Sequence, residues 1–149
     1  MDDWNGLVPS LVESIEVMDH CCSEENMKVL DLSVFMKLRE LKVGSWCFCQ
    51  VEELNMIGLR CLESVVIGIG SFQSDKDESE VLSAHGSFCL KACPLLKSFR
   101  VGAFSFLHYD VIEIENVDAL EVIEMGDLNG GGSFLRASLE LKSIQDVIE

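Results

Sequence analysis

A stack of short, mostly extended units wound into a repeat solenoid is the fold class this sequence predicts. Three observations predict it: a phrase that recurs at a fixed interval, a second apolar alternation between successive copies, and a glycine at the same place in each phrase. The phrase has the form L-x-x-φ-x-φ-G-x-x-x-F, where φ is apolar. Leu38-Arg39-Glu40-Leu41-Lys42-Val43-Gly44 through Phe48 is one copy, Leu62 through Gly68 and Phe72 the next, and Leu96 through Gly102 and Phe106 a third. Leu120-Glu121-Val122-Ile123-Glu124-Met125-Gly126 opens a fourth, with Asn129-Gly130-Gly131-Gly132 lengthening the turn before Phe134. A degenerate earlier copy runs from Leu11 to Val17, where Pro9 suits a strand start.

Between these phrases lie Val29-Leu30-Asp31-Leu32, Leu54-Asn55-Met56, Phe88-Cys89-Leu90, Ile112-Glu113-Ile114 and Leu139-Glu140-Leu141. Apolar residues at i and i+2 point to one face of an extended chain, so each unit carries two strands and the fold is a flattened coil with a sheet on each side. Leu41 to Val65 spans 24 residues and Phe99 to Ile123 another 24, whereas Val65 to Phe99 spans 34. The surplus is the polar tract beginning Gln73-Ser74-Asp75-Lys76-Asp77, so residues 73–87 are expected to form an insertion loop at one edge of the stack. The recurrent Gly44, Gly68, Gly102 and Gly126 are expected to take positive φ in a tight bend at the strand end. The phenylalanines should stack as an aromatic ladder that fills the core.

The phrase resembles a leucine-rich repeat, whose pattern L-x-x-L-x-L-x-x-N/C-x-L is met best from Leu90 to Leu96, with Cys93 at the ladder position. The run Val101-Gly102-Ala103-Phe104-Ser105-Phe106 is also similar to the I-G-x-x-A-F element of the BspA-like subclass. Trp46, Gly70 and Phe104 stand where an asparagine ladder belongs. The resemblance implies a leucine-rich-repeat solenoid, β-rich α/β with little helix, of about five to six parallel-strand units of roughly 24 residues. Residues 1–149 form a single repeat domain in this reading, with 1–10 as lead-in and 11–144 as repeats. The chain starts almost on a repeat and stops within a sixth phrase, which reads as a piece of a longer array. Members of the family are generally protein-binding scaffolds without catalytic residues to carry over.

Composition narrows the function classes. Acidic residues number 26 against 11 basic ones, and a net charge of −15 excludes the basic footprint that nucleic acid or an anionic membrane needs. The acidic start has no basic region followed by an apolar stretch, so no secretory signal is read. Apolar runs such as Val65–Gly70 are too short to span a bilayer. Seven cysteines without framework spacing read as reduced core thiols of a cytoplasmic protein.

No cofactor and no enzyme activity are expected. Cys47, Cys49, Cys61, Cys89 and Cys93 lack the paired knuckles of structural zinc. His20, His85 and His108 fall in unrelated phases of the repeat. Cys21 follows His20 directly, but adjacent strand residues point apart, and Ser71 lacks the strand-to-helix setting of a nucleophile elbow. Pairs such as Glu113 and Glu115 arise by chance among so many acids.

The outward positions of stacked strands build a ruled surface, and there the sequence places its candidate site. The central column of the first sheet reads Glu16, Lys42, Val66, Arg100, Glu124, flanked by Glu40, Ser64, Ser98 and Val122. Its basic pair, Lys42 and Arg100, beside an apolar Val66, would suit a protein partner bearing carboxylates. The second sheet reads Asp31, Asn55, Cys89, Glu113, Glu140. A structural or vestigial fragment that self-associates through uncapped ends is the other reading, with no nucleic-acid or membrane partner in either.

Overall fold

Each apolar alternation of the sequence becomes a strand, because only one face of it has to be withdrawn from water. The computed structural model describes residues 8–24, 26–73, 86–106, 109–127, 131–132 and 138–142. The strands that follow the opening leucines are β1 (Ser14–Val17), β3 (Glu40–Val43), β5 (Ser64–Ile67), β7 (Ser98–Val101) and β9 (Val122–Asp127). They alternate along the chain with β2 (Val29–Asp31), β4 (Glu53–Ile57), β6 (Gly86–Lys91), β8 (Tyr109–Glu115) and β11 (Ser138–Lys142). The odd strands pair in the order β1-β3-β5-β7-β9, all parallel, and a two-residue β10 (Gly131–Gly132) closes antiparallel on β9. The others form a second parallel sheet in the order β2-β4-β6-β8-β11.

The architecture is therefore a parallel β-solenoid of about four turns. No α-helix occurs among the described residues. The one helical segment is a 3-10 turn at Pro9–Leu11, so Pro9 opens a turn and the first strand starts later, at Ser14. Register is kept across the long unit: Val65 sits beside Phe99 and Leu54 beside Phe88, each 34 residues on. Both pairings that span the ten extra residues keep their register, while β6 meets β8 with a register shift at Gly86/Ser87. Residues 74–85 of the expected insertion loop lie outside the described residues.

The inward positions of the two sheets face each other as the core. Leu41, Val65 and Phe99 of the first sheet are buried, and so are Leu54, Phe88 and Ile112 of the second. The rings of Phe88 and Phe99 lie 5.7 Å apart and tie the sheets together. The aromatic ladder is present: Phe48 stacks on Phe72 at 5.1 Å and Phe72 on Phe106 at 4.6 Å, the ring planes nearly parallel. Offset stacking adds about 0.5–1.5 kcal/mol per pair beyond the area buried. Phe134 lies outside the described residues. Tyr109 meets the edge of Phe106 at 4.9 Å, and its hydroxyl donates to the Val51 carbonyl at 2.7 Å.

Corners repeat as faithfully as strands. Leu38, Leu62 and Leu96, which open the phrases, are fully buried where the chain enters the first sheet. After β3, β5 and β7 two residues take left-handed backbone: Trp46, Gly70 and Phe104 at φ 60°, 69° and 63°, then Phe48, Phe72 and Phe106 at 55°, 58° and 56°. Left-handed backbone costs a side-chain-bearing residue about 1–2 kcal/mol. Rung-to-rung hydrogen bonds offset it. Trp46 N–H donates to the Ile69 carbonyl and Gly70 N–H to that of Ala103, while Phe72 and Phe106 donate to Cys47 and Ser71.

A buried polar ladder runs beside them. The Ser71 hydroxyl donates to the Gly44 carbonyl at 2.7 Å and accepts from Cys47 N–H at 3.1 Å. Ser105 repeats both contacts one rung on, with Gly68 and with Ser71 N–H. Cys47 holds the corresponding place below, its thiol 3.0 Å from the Met18 carbonyl. Each fully buried hydroxyl is satisfied both as donor and as acceptor, which removes the desolvation penalty of placing it there.

The recurrent glycines are explained differently from the expectation. Gly126 does take positive φ, at 82°, but Gly44, Gly68 and Gly102 do not. What they lack is room. A Cβ on Gly68 would come 2.6 Å from the Gly44 carbonyl carbon, and one on Gly102 2.7 Å from that of Gly68. Backbone passes over backbone at this corner, and only hydrogen fits between the rungs. Gly58 is the opposite case, with φ +74° and open space around it.

Two stability measurements follow. Gly68→Ala should lower the unfolding free energy by about 2–3 kcal/mol through forced overpacking, and Gly58→Ala by about 1 kcal/mol through backbone strain alone. Urea unfolding of the two variants checks the order, and equal losses would contradict the close-approach explanation. The second concerns Tyr109, the chain's single tyrosine. Burial, with Glu52 adding in the same direction, pushes its phenol well above the ordinary value of 10.0. The folded state keeps a proton that the unfolded chain sheds, so stability is intact below about pH 10 and falls above it, by up to about 1.4 kcal/mol per pH unit. Tyr109→Phe should flatten that part of the profile between pH 9 and 11. An unchanged alkaline slope would contradict it.

Candidate interaction surface

In-register pairing carries each outward residue of the first sheet directly above its repeat equivalent. Glu16 pairs with Lys42, Lys42 with Val66, Val66 with Arg100 and Arg100 with Glu124. The flanking positions Glu40, Ser64, Ser98 and Val122 stack in the same way. All eight candidate residues from the sequence thus share one face of one sheet. The central column is exposed along its length, including Val66 at 39%. Ser64, Ser98 and Val122 are half-buried beside it.

The two cations of the column differ in their surroundings. Arg100 lies 3.4 Å from the Glu124 carboxylate on the next rung, a pair exposed enough to contribute little to stability. Lys42 makes no ion pair among the described residues. It borders a shallow groove of about 380 Å³ with Glu16, Met18, Asp19 and Gly44. One wall is fixed, since Asp19 Oδ1 accepts from Ser45 N–H at 2.8 Å.

Sequence reasoning missed the apolar corner at the end of this face. Trp46 and Phe104 are each 42% exposed and Ile69 is 48% exposed. Trp46 and Phe104 are two of the residues that stand where an asparagine ladder belongs. Trp46 lies flat over Gly70, and a Cβ there would strike the indole ring. The left-handed backbone of Trp46 and Phe104 does not set them apart, since Phe48, Phe72 and Phe106 share it and are buried.

The second sheet presents Asp31, Asn55, Cys89, Glu113 and Glu140 in register. Lys91 Nζ sits 2.6 Å from Glu113 Oε2 and 4.0 Å from Glu115 Oε2, which gives these carboxylates a local counter-charge. The hydrogen bond to Glu113 holds the Lys91 ammonium above its ordinary range. Burial, and then the Glu113 charge, push the Cys89 thiol up, so it stays protonated at neutral pH and lacks the character of a nucleophile.

Three chemistry-bearing residues elsewhere are structural. Ser71 and Ser105 are consumed by the polar ladder, and Cys93 is buried with its thiol toward the Met56 and Lys91 carbonyls. No group of three or more His, Cys, Asp or Glu is arranged to hold a metal among the described residues. Nor is any described helix long and apolar enough to cross a membrane. His20 is an exposed corner residue, while His85 and His108 lie outside the described residues.

No family model, curated protein or solved structure matches the chain. The repeat and its surfaces are the guide to function.

Proposed function

We propose that this protein is a non-enzymatic interaction scaffold that engages a protein partner through the outer face of its first sheet. The observation that carries this reading is the continuous column Glu16-Lys42-Val66-Arg100-Glu124, flanked by Glu40, Ser64, Ser98 and Val122. Lys42 makes no ion pair among the described residues, and exposed Val66 lies directly beside it. A carboxylate next to an apolar side chain on the partner complements that pair, and in a chain of net charge −15 such a spot is a discriminating feature. The apolar corner of Trp46 and Phe104 adds the aromatic anchors that interface centres favour.

A kinship with leucine-rich repeats, in five to six units, belongs to the same proposal. The spacing of the buried Leu38 and Leu41, Leu62 and Val65, and Leu96 and Phe99 supports it, as does Cys93 at a buried ladder place. The likeness of residues 101–106 to the BspA-like element points the same way. Seven thiols outside any disulfide support a reducing, cytoplasmic setting. A second reading, self-association of a structural repeat fragment, is favoured by β1 and β2, which stand last in their sheets among the described residues with one edge unpaired.

The experiment compares the wild-type chain with a Lys42→Glu/Arg100→Glu variant as paired baits. Both must first show the same circular dichroism and sedimentation. A protein retained by the wild type and reduced at least tenfold on the variant supports the scaffold and locates its face. Equal recovery by both baits contradicts the site, and concentration-dependent sedimentation of both moves self-association ahead.

A further inference from the structure

Cys21 and Cys47 occupy the same corner position on adjacent rungs. The hydrogen bonds between their segments show it: Phe48 N–H donates to the Cys21 carbonyl, and His20 N–H to the Ser45 carbonyl. Their thiols also make matching contacts. Cys21 Sγ lies 3.6 Å from the carbonyl of Asp19, two residues back, and Cys47 Sγ lies 3.5 Å from that of Ser45, two residues back. Cys47 Sγ reaches down toward the first rung, 3.0 Å from the Met18 carbonyl. Rungs in such a stack are about 4.8 Å apart, inside the roughly 4.4–6.8 Å Cα separation that a disulfide spans.

We propose that Cys21 and Cys47 form a redox modification site, in which a small disulfide such as oxidised glutathione converts the two thiols to a disulfide that staples the first rung to the second. Cys21 is the half-exposed member and Cys47 the buried one. Cys21 therefore reacts first: its thiolate attacks one sulfur of the oxidised glutathione, breaks that S–S bond and displaces one glutathione thiolate. The Cys47 thiolate then attacks the Cys21 sulfur of the mixed disulfide and displaces the second glutathione. Two protein thiols lose two electrons and two protons, and one oxidised glutathione becomes two reduced ones. Burial pushes the Cys47 thiol up, which makes the second step the slower one.

The staple would fix the Met18–Cys21 segment, whose Met18 and Asp19 border the groove beside Lys42. The neighbouring cysteines are placed differently. Cys22 stacks below Phe48, one place along, and Cys49 N–H is taken by the Ser23 hydroxyl. The repeat itself supplies a safe control, because the next two rungs carry serine where Cys47 stands, at Ser71 and Ser105. Cys47→Ser should consequently fold.

The test equilibrates the full chain with glutathione buffers of increasing oxidised fraction, in wild type, Cys47→Ser and a Cys22→Ser/Cys49→Ser background. The readouts are free-thiol titration, peptide mass spectrometry and the melting temperature. The proposal expects loss of two thiols in wild type and in the Cys22→Ser/Cys49→Ser background, with a Cys21–Cys47 cross-linked peptide. A rise in melting temperature of roughly 10 °C should accompany it. In Cys47→Ser the reaction should halt at Cys21 bearing glutathione, with no rise. Seven thiols surviving in wild type, or a disulfide that persists in Cys47→Ser, would overturn the assignment.

Discussion

Parallel strands that hydrogen-bond in register place every residue one rung above its repeat equivalent, at the fixed spacing of a β-ladder. Inside the stack, a residue type must then fit what lies directly above and below it. The columns of this protein are the solutions to that constraint. Glycine recurs where backbone crosses backbone, as at Gly44, Gly68 and Gly102, because nothing larger than hydrogen fits. Phenylalanine recurs at 48, 72 and 106 because flat rings stack at the same interval. Serine or cysteine recurs at 47, 71 and 105 because a short polar side chain can bond backbone on the rung below.

The same constraint shapes the outside. Charges that would repel in a column are interleaved with partners, as where Arg100 meets Glu124 across one rung and Lys91 meets Glu113 across another. Lys42 stands between Glu16 and exposed Val66 and makes no ion pair among the described residues, and that is why the interaction reading centres on it and Val66. The corners carry the second source of surface character, since Trp46 and Phe104 expose large rings there while Phe48, Phe72 and Phe106, two places on, are buried.

Much of this was legible in the sequence because columns repeat and repetition is visible. The strands, the alternation of faces, the outward register from Lys42 to Glu124 and the phenylalanine stack all follow from period-2 patterning locked to the repeat interval. The ten-residue surplus between Val65 and Phe99 was read as an insertion, and the sheets do keep their register across it. The role of the glycines was misread, because a glycine needed for φ and one needed for space look alike as letters. Only the neighbouring rung distinguishes them. The serine ladder was invisible for a similar reason: its partners are main-chain carbonyls 27 and 37 residues away, which no side-chain pattern marks. The exposed aromatic corner was hidden by comparison with an asparagine ladder that these residues do not form.

Everything above depends on which strands lie side by side, and β5 beside β7 is the decisive pair because it spans the long unit. The direct measurement is the set of backbone nuclear Overhauser effects between the strand around Val66 and the rest of an isotope-labelled chain. The account predicts cross-strand contacts from Val66 to Lys42 on one side and to Arg100 on the other, in parallel register. Contacts from Val66 to Leu90, 24 residues on, or an antiparallel pattern between β5 and β6, would contradict the stacked solenoid and every column drawn from it.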